Sequence, residues 1–458
     1  MKYNLIIILR SIAIIYLFTT SFFSISQNIS TSPYSSFGIG STEDVEHGIF
    51  SGIGNATITY TDSTVLNYFN PASYHTLSKG QPILSTSLSS RISLFTENGI
   101  QANAANVVLS HFALGFSFAN RLGAAFGFKP YSRRGYDFTA INNVGTDTIS
   151  NTYKGTGSTN EAFVGLSARV LSYKNFDLAV GGNVGYVFGT VSNKRYSQLN
   201  DLISGGVEYK DLQIGSFHYQ LALSLNQKIN DHHSITLNGV YDPSQAFKAK
   251  RNTDLFYATD VLDQSKYYRL DSTGKISGII NMPSIITTGF NYRFAFKDVA
   301  KNATVRNSEL SFHTTLKLSR WADYKETFDG VEELFNYYNT YNTYNLSIGL
   351  QYTPETSFLN TVSKGMKFDQ IRYRAGFYNY TLPIQQSLNT ITDYGVTLGF
   401  GIPIKVQKSM SSINIGVAYG KRSNGVSTDF TENYTSINFS LIMAPGNFEK
   451  WFVKRKYD

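Results

Sequence analysis

Apolar side chains alternate with small or polar ones along most of the chain. Between residues 84 and 95 the even positions hold Leu84, Thr86, Leu88, Ser90, Ile92 and Leu94, and the odd ones Ser85, Ser87, Ser89, Arg91 and Ser93. Successive side chains of a strand point to opposite faces, so this repeat predicts a strand with one oily side. It recurs as Phe176, Leu178, Val180, Val184, Tyr186 and Phe188 against Asp177, Ala179, Gly181, Asn183, Gly185 and Gly189. A third example sets Tyr394, Val396, Leu398, Phe400, Ile402 and Ile404 against Asp393, Gly395, Thr397, Gly399 and Gly401. Such runs predict about fourteen strands, near 82–96, 106–119, 122–133, 161–171, 176–190, 216–229, 234–250, 276–296, 308–319, 344–354, 369–381, 393–405, 412–421 and 434–443.

The connections choose the architecture. Those after odd-numbered strands are mostly long and polar, at 134–160, 191–215, 251–275 and 320–343. Those after even-numbered strands are mostly short, as at Asn120-Arg121, Ser172–Asn175, Asn230–His233 and 406–411. Long loops at one end, tight turns at the other and an even strand number predict an all-β, transmembrane antiparallel β-barrel over residues 81–443. Hydrocarbon offers the backbone no hydrogen-bond partner, so a sheet crossing it must close on itself. Tyr292, Phe294, Phe296, Tyr373, Phe377, Tyr378 and Tyr380 stand near strand ends and are expected to form interfacial girdles, with an ordinary β core as the alternative.

Composition narrows the chemistry. The 458 residues include no cysteine, 16% charged and 15% aromatic residues, against about 25% charged in soluble domains. Disulfides, thiolate-held zinc, iron–sulfur clusters, a catalytic cysteine and an acylated lipoprotein terminus are thereby excluded. The formal charge of +8 is scattered, whereas a nucleic-acid footprint gathers it on one face, so no nucleic-acid partner is expected. The one dense group, Lys450, Lys454, Arg455 and Lys456, lies in a basic C-terminal tail, 444–458, expected in the periplasm as a solvated end or a docking element. At the other terminus Lys2 and Arg10 precede the apolar run Ser11–Phe23, followed by Ser24-Ile25-Ser26. This predicts a cleaved signal peptide, residues 1–26, and export to the outer membrane of a Gram-negative bacterium, with a membrane-anchor helix as the alternative.

Residues 27–80 lack sustained alternation and hold Pro33, Gly38, Gly40, Gly48, Gly52, Gly54, Asn70, Pro71 and Ala72. A barrel of about fourteen strands is too wide for side chains alone to fill. The segment is therefore expected to enter from the periplasmic end and plug the lumen; a disordered leader is the alternative. The run His47-Gly48-Ile49-Phe50-Ser51-Gly52-Ile53-Gly54-Asn55-Ala56, then Asp62-Ser63 and Asn70-Pro71-Ala72-Ser73, resembles the N-terminal hatch of the long-chain fatty acid and aromatic hydrocarbon transporters of Gram-negative outer membranes. Further echoes are Gly127-Phe128-Lys129-Pro130, Met282-Pro283-Ser284, Trp321 and Arg374-Ala375-Gly376-Phe377. The resemblance implies that Gly48, Gly52, Gly54, Asn70, Pro71 and Ala72 belong to a hatch. It also implies that an apolar ligand binds outside, passes inward as the hatch shifts and leaves sideways through a gap at an inward kink in the third strand. Pro130 bears on that gap independently, because proline has no N–H for the ladder and favours a bulge or kink. Its alternative place is just past the bilayer, where the strand frays.

Nothing points to catalysis or a cofactor. The seven histidines, His47, His75, His111, His218, His232, His233 and His313, show no metal-binding spacing. No Gly-x-Ser-x-Gly elbow, phosphate loop or dinucleotide fingerprint occurs. The expectation is a non-enzymatic channel for passive uptake of hydrophobic small molecules, fatty acids or aromatic hydrocarbons, in contact with outer-membrane lipid. The alternative is a non-transporting subunit or cargo shuttle of a secretion or assembly complex, holding a protein through its loops or tail. A lipid hydrolase with residues on separated strands is the third reading.

Overall fold

The computed structural model describes residues 32–42, 47–79, 81–200, 202–296, 305–332, 340–357, 365–366, 368–386, 388–406, 409–426 and 428–444. The expected signal peptide and all but the first residue of the basic tail lie outside them. Fourteen staves form one closed antiparallel sheet. They are β1 (Ile83–Glu97), β2 (Ile100–Ala119), β3 (Leu122–Arg133), β4 (Asp147–Tyr173), β5 (Phe176–Leu199) and β6 (Gly205–Lys228). Two broken staves follow, β7 (His233–Asp242, then Gln245–Ala258) and β8 (Ile276–Met282, then Ile285–Ala295). The rest are β9 (Glu309–Ser319, with a short continuation at Lys325–Phe328), β10 (Thr343–Thr353), β11 (Arg372–Gln386), β12 (Asn389–Val406), β13 (Ser409–Ser423) and β14 (Thr431–Met443). Closure is by β14 on β1, with Leu84 opposite Met443 and Thr96 opposite Thr431. This pairing joins the first stave to the last, so neither is left as an edge.

The period-two pattern decides which face each residue takes. Val164, Leu166, Val184, Leu221, Val396 and Leu398 are exposed on the outer face, while Ser85, Ser87, Asn183, Thr397 and Ser440 are buried on the inner one. An apolar exterior over a small, polar interior is the inverse of a soluble fold and suits hydrocarbon outside. Among the described residues no helix is long and apolar enough to cross a membrane.

Two expectations need correction. Much of the long polar connections is strand: Tyr136–Val144 pairs with the start of β4, and β5, β6 and β7 run on as ladders to Leu199, Gly205 and Ala258. Those extensions lost the oily outer face that marks the spanning part: Val191, Leu212 and Ile214 are buried on the inner face there, while Asp211 and Gln213 are exposed. Tyr378 and Tyr380 are buried on the inner face, whereas Tyr373 and Phe377 are exposed as expected of girdle residues. Parity explains it, since even positions of β11 point inward with Arg374 and Gly376.

The N-terminal segment contacts inner-face residues around the circumference. Residues 32–42 lie at the long-hairpin end, not the turn end from which the segment was expected to start: Tyr34 donates to Phe430 O at 2.9 Å, and Ser41 pairs with Arg133 through bonds of 2.8 and 2.9 Å. Phe37 and Ile39 are buried there with Trp321, Tyr324, Ile384 and Ile391. The segment ends at the turn side, where Lys79 Nζ donates to Asn120 Oδ1 at 2.8 Å.

Candidate functional site

The residues singled out from the sequence fall into two grips. The first is α1 (Gly48–Gly52), capped by His47, whose Nδ1 accepts from Ile49 N at 3.1 Å. A Cβ on Gly48 would lie 2.5 Å from Asn414 O and 2.9 Å from Asn438 O, and one on Gly52 would lie 2.9 Å from Gly399 Cα. Gly54 adopts φ +68° and comes as close to β11, where a Cβ would meet Phe377 O at 2.6 Å. Its N–H donates to Thr397 Oγ1 at 2.9 Å. Here the glycines serve close approach of backbone to backbone, which any side chain would block.

The second grip is Asn70-Pro71-Ala72. Asn70 caps a 3-10 turn, Pro71–Thr76: its Oδ1 accepts from Ala72 N at 3.2 Å, and Pro71 stands where the helix needs no N–H. Its Nδ2 donates to Ile58 O at 2.9 Å and to Asn238 Oδ1 of β7 at 3.0 Å. A Cβ on Gly181 of β5 would sit 2.5 Å from Pro71 O, and Tyr74 donates to Asn183 Oδ1 at 2.9 Å. The first grip therefore holds β11–β14 and the second β5–β7, on opposite sides of a fourteen-stave ring. Between them Asp62 meets Arg372 of β11 at 3.4 Å, both side chains almost fully buried.

Pro130 stands apart from both grips, at a break in the wall. The β2–β3 ladder runs from Ala119 opposite Leu122 to Phe112 opposite Phe128 and stops. Beyond it β2 pairs only with β1, from Ser87 opposite His111 to Glu97 opposite Ile100. The outer part of β3 stays on β4, with a register shift between Pro130 and Ser132. Ser132, Arg133, Arg134, Gly135 and Tyr136 are all buried, so β3 loses its alternation and turns inward. Its free edge at Arg133 is taken up by Ser41. An unzipped seam thus separates β2 from β3 above Phe112 and Phe128.

Behind the seam lies a cavity of about 180 Å³, lined by Ser110 and Pro130 from its two edges. Pro243 and Pro283 also line it, and each interrupts its own stave, since proline cannot donate to a ladder. The β6–β7 ladder likewise skips residues 215–220, between Ile214 opposite Ala249 and Leu221 opposite Tyr241. Gln245 replaces part of it with a side-chain amide, accepting from Tyr219 N at 2.9 Å and donating to Tyr219 O at 3.2 Å. Into this widened stretch project Lys129, Glu161, His218, Asp242 and Lys317. Glu161 bonds His218 Nδ1 at 2.9 Å and faces Lys129 Nζ at 3.3 Å, while His218 Nε2 is 3.7 Å from Asp242. Among the described residues no group of His, Asp and Glu could hold a metal ion. The charged group was missed in the sequence. Its only signal was inward parity: each member shares the phase of the small and polar inward residues of its own stave.

Residues 8–458 match the model of one family, described as BamG. The chain belongs to the BamG family. No curated protein matches its sequence. Among solved structures this BamG-family chain is similar to a Pseudomonas aeruginosa FadL homologue, with a TM-score of 0.52 at 14% identity over 88% of this chain and 98% of that one. It is also similar to the Pseudomonas putida toluene transporter TodX, with a TM-score of 0.51 at 14% identity over 88% and 99% of the two chains. The Ralstonia pickettii toluene transporter TbuX gives 0.50 at 12% identity over 87% and 98%. At such identities the likeness is one of fold: a FadL-type barrel.

Proposed function

We propose that the chain is an outer-membrane channel for passive uptake of small hydrophobic molecules in a Gram-negative bacterium. In this reading residues 27–80 are its plug and the β2–β3 seam its lateral exit, with Pro130 at the kink. The observation that carries it is the coincidence of the unzipped seam with a cavity directly behind it, bordered by Ser110 and Pro130. The shared fold with TodX and TbuX, named as toluene transporters, supports it. Burial of apolar ligand surface, about 25 cal/mol per Å², supplies the driving force, and no chemical energy source enters. Because the hatch is keyed into two opposite walls, its rearrangement is local, around Tyr68 and Phe69, which face the cavity. The test is uptake of labelled toluene or a long-chain fatty acid into liposomes containing the purified protein. Faster uptake than in empty liposomes is expected, with a marked loss in Pro130→Val; equal rates with and without protein overturn the reading.

A specific observation favours a second reading, a non-transporting subunit or cargo shuttle of an assembly complex. Ile141, Ile203, Leu262 and Leu270, at the long-hairpin end, are between 66% and 87% exposed. Apolar groups standing in water mark interaction surfaces. A protein that co-purifies in fixed ratio after gentle detergent extraction supports this alternative.

A further inference from the structure

We propose that the cavity behind the seam takes an uncharged single-ring aromatic molecule bearing an O–H or N–H donor, with a phenol as the simplest case, in preference to a plain hydrocarbon or a carboxylate. The proposal rests on reading that cavity as a ligand site, and it names what the site selects.

Size and walls set the first limit. A cavity of about 150 Å³ is enough to hold benzene, and this one measures about 180 Å³. Tyr68, Phe69, Tyr131 and Trp321 line it, so a ring finds aromatic faces and edges to pack on.

Polarity sets the second. Two buried polar atoms on this wall lack a hydrogen-bond partner: Asp242 Oδ1 and the indole Nε1–H of Trp321; Glu161 Oε2 is held by Lys129 Nζ at 3.3 Å. Buried polar groups in native proteins are nearly all satisfied, so orphans around one cavity mark a complementary ligand. One is an acceptor and the other a donor. A hydroxyl donates once and accepts through its lone pairs, which serves both kinds. Toluene would leave both unpaired.

Charge sets the third. The lining carries two carboxylates, Glu161 and Asp242, and two ammonium groups, Lys129 and Lys317, with His218 between the carboxylates. Lys129 is engaged by Glu161, and Lys317 is not free either. A carboxylate ligand would add a negative charge beside the open Asp242 oxygen, whereas a neutral donor adds none.

The experiment uses the full-length protein in detergent. Its two tryptophans are Trp321 and Trp451, so Trp451→Phe leaves the indole on the cavity wall as the sole tryptophan reporter. Toluene, p-cresol and 4-methylbenzoate share ring and methyl group and differ only in the polar group. Titration calorimetry gives affinities, and the Trp321 emission locates binding. A site built to bond a hydroxyl can reject the analogue lacking it by as much as about 10⁴-fold. In a cavity open on one side, at least about a tenfold preference for p-cresol over each of the others is expected, with a saturable change in Trp321 emission. Toluene or 4-methylbenzoate binding as tightly as p-cresol overturns the proposal, as does an emission that p-cresol leaves unchanged. In Asp242→Val the preference over toluene should fall towards unity, and an undiminished preference overturns the assignment; the wild-type panel decides even if that variant does not fold. Liposome uptake separates the two readings. Toluene uptake without cresol preference leaves the channel standing and removes this site, and cresol binding without uptake does the reverse.

Discussion

Gly376 of β11 faces Gly54 of the hatch, and replacing it by alanine tests whether the segment is seated there. A Cβ at Gly376 would stand 2.5 Å from Ile53 C and hard against Gly54 N, where ordinary contact begins at 3.4 Å. Relief requires two backbones to separate by about 1 Å or more, and neither can swing aside as a flexible side chain would. Overpacking of this kind costs about 1–3 kcal/mol. Gly239 of β7 is the matched control, with nothing within 4 Å of its Cβ position. Alanine there restricts the unfolded chain and should be neutral or stabilising by about 0.4–1 kcal/mol. Three measurements apply to both variants: the temperature at which the detergent-resistant folded band is lost, thermolysin cleavage within residues 47–79, and conductance in planar bilayers. Gly376→Ala should melt lower, be cut faster and conduct more, because an unstoppered barrel of this width holds water. A Gly376→Ala protein indistinguishable from Gly239→Ala in all three would refute the seating.

Asp62→Ala leaves the Arg372 guanidinium buried without its carboxylate and should cost about 3–5 kcal/mol of folded stability. The Asp62→Ala/Arg372→Ala double variant should lose less than the sum of the singles, and strictly additive losses would count against a coupled pair. At the cap of α1, burial foremost, then His111 and Arg374, holds the His47 imidazole well below its usual pKa of 6.5. The folded state therefore keeps His47 neutral while the unfolded chain protonates it, so this contribution is whole above about pH 6.5 and declines as pH falls. Thermolysin cutting of the hatch should rise between about pH 7.5 and pH 5, less steeply in His47→Gln; equal slopes would show that His47 is not the group responsible. The exposed pair Asp137–Lys154, at 3.0 Å with side chains about half open to water, should contribute about 0–1 kcal/mol. A larger loss of stability in Lys154→Ala would mean that the outer hairpin is packed against something.

All fourteen staves were legible, and particular residues show why. Val180, Val184 and Tyr186 had to face away from Ala179, Asn183 and Gly185 because a strand has a period of two. One register satisfies that demand over a whole stave. Legibility failed beyond the bilayer. In Thr148–Asn160 and Ser192–Ser197 mostly polar residues occupy both faces, the oily row that marks a lipid-facing strand is missing, and strand read as loop. The aromatic positions of β11 failed for a different reason: hydrophobicity alone assigned Tyr378 to the outer girdle, while the phase of its own stave placed it inside, donating to or accepting from Tyr434 Oη at 2.6 Å.

The two grips were legible as motifs because their chemistry is local. Asn70 before Pro71 is a cap whatever surrounds it, and closely spaced glycines announce a backbone that something must approach. The cavity was not, because its parts are brought together only by closure of the ring. Lys129, Glu161, His218, Asp242 and Lys317 come from β3, β4, β6, β7 and β9, and no spacing along the chain relates them. Each could still be read as a charged residue on an inward position, where burial is tolerable only beside an opposite charge or a donor. Inward charges on five staves therefore demand one another as partners. Closure then sets which of them share a level, since Arg372, Arg374, Asp393, Arg422 and Glu432 are buried inward charges as well. Pro130, Pro243 and Pro283 mark the same level independently, because each removes a ladder bond from its stave there. Taken together, inward charges and stave-breaking prolines locate a lumenal site in a barrel sequence, which neither class of residue does alone.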